Sequence, residues 1–138
     1  MGVIILGYDA SPGAERALES AIEIATHFGD RLVIAFGDAP PGTPTEEETA
    51  HHRALEELGE RVTEGALTRA RGAGVEAEVA LVPKRASAAL IELSERENAR
   101  MIVVGTYGES PIKGAILGST PHKLLHLSER PVLVVPGG

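Results

Sequence analysis

The stretch Val3–Gly29, VIILGYDASPGAERALESAIEIATHFG, decides the fold because it contains a complete strand–turn–helix unit. It starts with a continuous apolar run, which is typical of a parallel strand that is buried on both faces. The segment Gly7–Pro12 then predicts a turn, in which Ser11 caps the following helix and Pro12 occupies its first position. Apolar residues recur at helical spacing until Gly29 ends the helix. The beginning of the chain therefore predicts a strand followed by a helix.

The same alternation of strand and helix patterns continues along the whole chain. Further strands are predicted at Leu32–Phe36, Val75–Val82, Met101–Val104 and Pro131–Val135, and further helices at Glu46–Arg71, Arg85–Glu97 and Gly118–Ser128. Strands that alternate with helices are parallel and joined by right-handed crossovers. We therefore predict one domain, residues 1–138, of the doubly wound α/β class with helices on both faces of the sheet. The purest apolar runs, Val3–Leu6 and Ile102–Val104, place the first and fourth strands at the sheet centre.

The composition excludes several classes of function. Thirteen Lys and Arg against twenty Asp and Glu give a net charge of −7, which disfavours binding to duplex DNA or to anionic membranes. The absence of cysteine excludes disulfides, thiolate catalysis and cysteine-based zinc sites. No apolar run approaches the roughly 20 residues that span a bilayer, and no basic leader opens the chain. We expect a cytoplasmic protein with neither nucleic acid nor membrane as partner.

The loops after the first and fourth strands are the most unusual in the chain. Ligands of open α/β sheets bind beyond the carboxyl ends of the strands, where the strand order reverses. If these two strands are neighbours, Asp9 and the glycine-rich segment Gly105–Thr120 flank one crevice. Gly118 lets the backbone come close at the start of the last helix, where the first helical N–H groups, at Ser119 and Thr120, are free to bind phosphate. The pattern predicts a phosphate cradle that is neither a P-loop nor G-x-G-x-x-G.

A family resemblance rests on these residues. The spacing Gly105-x2-Gly108-x9-Gly118-Ser119 resembles the G-x2-G-x9-G-S/T signature of the ATP-binding branch of the universal stress protein family. The strings IVVGT, GSTPHKLL and RPVLVVP are similar to that family too. The resemblance implies a Rossmann-like sheet of five parallel strands in the order 3-2-1-4-5, often in a homodimer.

The resemblance also implies where an adenine nucleotide would lie. The residues implied to hold the phosphates and ribose are Gly105, Gly108, Gly118, Ser119 and Thr120. Those implied to line the ribose and adenine side are Asp9 with Gly7 and Tyr8, the backbone near Gly37, and Val104 beneath the base or sugar.

Three positions depart from the family pattern. Glu109 stands where the family often has a basic residue, Pro83–Arg85 replaces a Gly-Asp-Pro-like turn, and Ala10 replaces a glycine. We expect Glu109 to face solvent. The phosphate charge would then be balanced by Lys113, by a cation of Pro83–Arg85, or by Mg²⁺ with help from Asp9.

The leading interpretation is an adenine-nucleotide-binding stress or signalling protein that uses ATP, ADP, AMP or a cyclic nucleotide. No general base pairs evidently with a nucleophile, so no catalytic residue is predicted. A slow Mg-dependent ATPase organised by Asp9 is one alternative, and a dimeric interaction module without nucleotide is another. The apolar edge strand Pro131–Val135 predicts a homodimer in which two such strands meet.

Two further residue patterns also have purely structural interpretations. Asp9 has an alternative role as a cap of its own turn or of the first helix. His122 and His126 are spaced i, i+4 on the last helix without an apparent third ligand, so we expect a solvated or core-edge pair and no metal site.

Overall fold

The computed structural model of the protein describes residues 1–37, 46–106 and 118–137, with side chains left out at 46–52 and 54–56. The strands and helices alternate as the sequence predicts: β1 (Val3–Gly7), α1 (Pro12–Phe28), β2 (Arg31–Gly37), α2 (Glu46–Gly72), β3 (Ala77–Val82), α3 (Ala86–Arg96), β4 (Met101–Gly105), α4 (Ser119–Leu127) and β5 (Val132–Val135). In the described parts, no helix is both long enough and apolar enough to cross a membrane.

The sheet has the strand order β3-β2-β1-β4-β5 and every pairing is parallel. The predicted doubly wound α/β class and its strand order are confirmed. Strand β1 is central, and β4 lies directly beside it with Val103 opposite Leu6. The strand order reverses between these two strands, because the chain builds the sheet in one direction from β1 through β3 and in the other through β4 and β5.

Two apolar layers hold the helices to the sheet. Ile4 and Leu6 point into the layer under α1 and α2, whereas Val3 and Ile5 point into the layer under α3 and α4. Both faces of β1 are therefore covered, which explains the continuous apolar run. Burying one such side chain fully contributes about 1.5–3 kcal/mol, so these two layers supply the main stabilisation of the fold.

Helix α1 begins and ends where its sequence predicts. The Oγ of Ser11 accepts a hydrogen bond from the Ala14 amide at 3.2 Å, and Pro12 follows as the first helical residue. At the other end Gly29 adopts a left-handed conformation with φ 69°, and its N–H donates to the Ala25 carbonyl. The prediction of this helix and its caps is confirmed.

A cluster of four residues joins the amino-terminal ends of the strands. The Asp30 side chain, 1% exposed, accepts hydrogen bonds from the Gly2 amide at 3.0 Å and from Arg100 Nε at 2.5 Å. The Arg100 guanidinium lies 4.1 Å from the centroid of the Phe28 ring. A Cβ at Gly2 would lie 2.6 Å from Asp30 Oδ1, so only glycine fits there. We call Gly2, Phe28, Asp30 and Arg100 the Asp30 cluster.

The charge pairing in the Asp30 cluster outweighs the effect of burial on Asp30. The hydrogen bond from Arg100 holds the pKa of Asp30 below its ordinary value of 3.8, although burial acts in the opposite direction. The carboxylate is thus held in its charged form at the end of the sheet opposite to the one where α/β proteins bind ligands.

Candidate functional site

The carboxyl edge of the sheet brings the two predicted segments together. Because β1 and β4 are neighbours and parallel, the turn after Gly7 and the chain that leaves Gly105 emerge side by side. The Gly118 amide donates to the Thr106 carbonyl at 2.6 Å, which holds the start of α4 against the end of β4. The Thr106 amide in turn donates to the Val135 carbonyl at 3.2 Å. Thr106 therefore connects three elements at this edge, a role that the sequence did not suggest.

The turn that carries Asp9 is held by its own side chains. Asp9 Oδ1 accepts a hydrogen bond from the Ser11 amide at 3.0 Å. Between them Ala10 adopts φ 62°, in the left-handed region that favours glycine. The structural role that was the alternative interpretation of Asp9 is therefore observed, and a contact between Asp9 and a ribose stays a prediction.

The Tyr8 side chain is directed into the core. It is 6% exposed in the layer under α1 and α2, and its hydroxyl donates to Glu15. Glu15 also accepts from Arg69 Nη1 at 2.5 Å, so Tyr8 connects β1 with both helices. Burial, then the hydrogen bond to Glu15, raises the pKa of Tyr8. A neutral, donating hydroxyl results, and the predicted contact with adenine remains untested.

Gly105 has a packing role in addition to its place in the glycine signature. A Cβ built on it would lie 2.6 Å from the carbonyl carbon of Gly13, in the first turn of α1. No side chain fits at that distance, so the pair lets the α1 backbone rest on the end of β4. Gly13 was not among the predicted site residues, although a glycine in the first turn of a helix is a signal of close backbone approach.

Two other predicted site glycines are also packed against the protein. A Cβ at Gly7 would lie 2.9 Å from Leu90 Cδ1 and 3.0 Å from Val104 Cγ1. One at Gly37 would lie 2.9 Å from the Lys84 carbonyl oxygen, so the entrance to α3 rests on the end of β2. The absence of a side chain at these positions is explained by packing. Val104 is buried, and its place beneath a base or sugar stays a prediction.

The start of α4 has the features of an anion-binding helix terminus. Gly118 precedes the helix with φ −69° and ψ 172°, and no side chain caps the helix within the described ranges. Pro121, the third helical residue, has no N–H. The amides of Ser119 and Thr120 occupy the first two positions, which have no partner four residues earlier in a helix. Because the Gly118 amide donates to the Thr106 carbonyl, the amides of Ser119 and Thr120 are the donors that the described part of the predicted cradle offers.

The predicted balance of charge around the site is described only in part. Gly108, Glu109 and Lys113 lie outside the described residues, so their roles stay predictions. Lys84 Nζ lies 3.2 Å from Glu92 Oε1, and this partner competes with any phosphate. Arg85 is exposed at the start of α3. Over the described ranges, no group of three or more His, Cys, Asp or Glu side chains gathers as a metal site.

The fold defines an α/β protein whose strand order reverses between β1 and β4, and the comparison with known sequences gives its family. Residues 1–136 match the model of the universal stress protein family, to which this chain belongs. The predicted family is therefore confirmed.

Individual relatives agree with this assignment. A universal stress protein of Mycolicibacterium smegmatis is 36% identical over 138 residues, covering 96% of this chain and 45% of that protein, so the chain spans less than half of that relative. One of Thermus aquaticus is 33% identical over 137 residues and is covered to 96% in both chains. The solved structure of a universal stress protein in complex with cAMP is 28% identical, with a TM-score of 0.77 and coverage of 99% and 98%.

Proposed function

We propose that the protein binds an adenine nucleotide, ATP, ADP, AMP or a cyclic form, and acts in a stress response or in signalling. The observation that carries the proposal is that the start of α4, which no described side chain caps, lies at the same sheet edge as the Asp9 turn, where the strand order reverses. The family relationship and a similar structure in complex with cAMP support the choice of an adenine nucleotide.

The phosphates would bind at the start of α4. Amides in the first turn of a helix point toward a ligand, and the positive end of the helix dipole favours an anion by about 0.3–1 kcal/mol at an exposed site. Ser119 and Thr120 supply these amides and a hydroxyl each. The proposed phosphate and ribose residues are completed by Gly105, Gly108 and Gly118.

The nucleoside would lie over the ends of β1, β2 and β4. Asp9, which is half-buried in its turn, has the acceptor that a ribose hydroxyl needs. Gly7, Tyr8, Gly37 and Val104 would border the base. Mg²⁺, held by the phosphates with help from Asp9, would offset the negative charge of the phosphates, provided that Glu109 faces solvent.

We further propose that residues 1–138 form one cytoplasmic domain that dimerises through β5. Leu133 on this edge strand is 37% exposed, and an apolar edge with unpaired backbone groups favours pairing with a second copy. Neither nucleic acid nor membrane is proposed as a partner, because the net charge is −7. Sedimentation of Leu133→Lys beside Leu127→Lys, which changes an exposed residue of α4, tests the interface: only the first variant should become monomeric.

Release of a bound small molecule from the denatured protein tests the function most directly. Calorimetric titration with ATP, ADP, AMP and cAMP should then give saturable binding for at least one of them. No release together with no heat would favour the interaction module without nucleotide.

Hydrolysis needs a separate test with matched variants. Asp9→Asn keeps an acceptor for the Ser11 amide, whereas Asp9→Ala removes it. If ATP turnover is measurable in the pure protein and is lost in both variants, the slow ATPase is the better description. If turnover is absent while binding persists, the protein is a nucleotide binder only.

A further inference from the structure

Two histidines on α4 face each other in a geometry that the sequence did not reveal. His122 and His126 are both exposed, and their ring centroids lie 4.8 Å apart at an interplanar angle of 70°. Pro121 and Leu124 on the opposite face of α4 are buried in the protein. The helix is thereby anchored so that both rings stand on its solvent side.

The distance between the two rings matches the geometry of a shared metal ion. An imidazole nitrogen binds Zn²⁺ at about 2.0–2.1 Å, which places the ring centroid about 3.2 Å from the metal. Two rings bound at angles of about 90–110° therefore have centroids about 4.5–5.2 Å apart. The observed 4.8 Å lies within this interval. The spacing of the rings, which meet edge to face, therefore suits one shared ion once each ring turns a nitrogen toward it.

We propose that His122 and His126 form a two-ligand site for a divalent ion that prefers imidazole, such as Zn²⁺ or Cu²⁺. Imidazole suits these ions, whereas Mg²⁺ and Ca²⁺ prefer oxygen donors. Two positions one helical turn apart lie on the same face, so both rings reach the ion from one side. The net charge of −7 also favours the approach of a cation.

The proposed site is open rather than closed. No third His, Cys, Asp or Glu of the described ranges joins the pair, so water completes the coordination. The site is therefore weaker than a structural zinc site with four protein ligands. Its ion would link consecutive turns of α4, and an ion that binds only the folded helix stabilises it. This inference does not depend on the proposed nucleotide function.

Calorimetric titration with Zn²⁺ tests the site on the full chain. His122→Ala and His126→Ala should each weaken binding at least tenfold, because each removes one of two ligands. His27→Ala is the matched control, since His27 is an exposed histidine on α1 that lies against Phe28. This control should bind as the unchanged protein does, and circular dichroism checks that all variants fold.

Electron paramagnetic resonance of bound Cu²⁺ counts the ligands independently. The unchanged protein should show coupling to two imidazole nitrogens, and each single variant of the pair should show fewer. The proposal is overturned if millimolar Zn²⁺ gives no saturable binding, or if either variant of the pair binds within twofold of the unchanged protein. An unchanged Cu²⁺ spectrum in both variants overturns it as well.

Discussion

At the scale of the residue, Ala10 holds a conformation that its side chain disfavours. Its φ of 62° lies in the left-handed region, which costs an L-residue with a Cβ about 1–2 kcal/mol. The hydrogen bond from the Ser11 amide to Asp9 maintains the turn in spite of this strain. The fold thus tolerates a local strain directly beside a proposed ligand residue.

Replacing Ala10 with glycine should stabilise the protein. Relief of the strain exceeds the added freedom of the unfolded chain, and we expect a gain of about 0.5–1 kcal/mol in the free energy of unfolding, measured with urea. Ala88→Gly is the control: this exposed residue of α3 has no strain to relieve, so glycine should cost about 0.5–1 kcal/mol there. A loss of stability in Ala10→Gly would contradict the interpretation of the turn.

Gly105 provides the opposite case, in which a single methyl group should be destabilising. Gly105→Ala places a Cβ against the Gly13 backbone, and overpacking of this kind costs about 1–3 kcal/mol. Gly65→Ala in α2 is the matched control, because nothing lies within 4 Å of its added Cβ. That control should gain about 0.5–1 kcal/mol from helix propensity. Equal effects in urea denaturation would show that the Gly13–Gly105 contact is looser than described.

At the scale of the element, no side chain of the described residues caps the start of α4. Its entrance residue Gly118 has an extended backbone that any residue adopts, so glycine is not required there by conformation. Natural helices more often place Ser, Thr, Asp or Asn at this position, where the side chain accepts a bond from the first-turn amides. If those amides bind a ligand, as proposed above, glycine at this position serves function rather than stability.

Gly118→Asp should separate binding from folding. The carboxylate caps the Thr120 amide and suits the helix dipole, so stability should stay equal or rise by up to about 1 kcal/mol. Nucleotide affinity, measured by calorimetry, should fall at least tenfold, because the same carboxylate occupies the position of the phosphate and repels its negative charge. Gly118→Asn carries a neutral cap of the same size, so the difference between the two variants measures the part due to charge. Unchanged affinity in the Asp variant would mean that the phosphates bind elsewhere.

Most elements could be predicted because their patterns are local. The bounds of several elements differ from the prediction by one residue, and the largest difference is at the start of β3, predicted at Val75 and observed at Ala77. Gly74 has φ 84° and the Val75 amide donates to the Ala70 carbonyl at 3.0 Å, so Val75 completes the end of α2. An apolar residue after a helix-ending glycine can either complete the end of the helix or begin the next strand. The pattern of a single sequence does not distinguish these two roles.

The neighbourhood of the two strands that carry the proposed site was predictable, but the contacts around it were not. The apolar runs placed β1 and β4 at the sheet centre, and the family resemblance implied that they are neighbours. Their observed pairing places Asp9 and the start of α4 at one edge. The Gly13–Gly105 contact and the bonds of Glu15 with Tyr8 and Arg69 depend on how α1 crosses the sheet. Such pairs are distant in sequence and have no signature, so they appear only in the structure.

At the scale of the whole molecule, the Asp30 cluster makes the free energy of unfolding depend on pH. Because the pKa of Asp30 is lowered in the folded state, its contribution is present above the ordinary value of 3.8 and is lost as pH falls through the folded pKa. Asp30→Asn should therefore destabilise the protein at pH 7, by about 1.5–3 kcal/mol for a hydrogen bond to a charged group.

Urea denaturation of Asp30→Asn between pH 7 and pH 2 checks this expectation. The difference from the unchanged protein should shrink as pH falls below 3.8. Glu78→Gln is the control, since its pair with Arg31 is largely exposed and contributes little. A difference for Asp30→Asn that does not vary with pH would rule out the charged pairing as its cause.

The Asp30 cluster also determines how the chain can be divided. Its members are supplied by the start of β1, the connection from α1 to β2, and the residue before β4, far apart along the sequence. A fragment that ends before Arg100 would bury a carboxylate with the Gly2 amide as its main partner, which is unfavourable. We therefore expect that the first and second halves do not fold as separate modules and that the chain unfolds in one all-or-none transition.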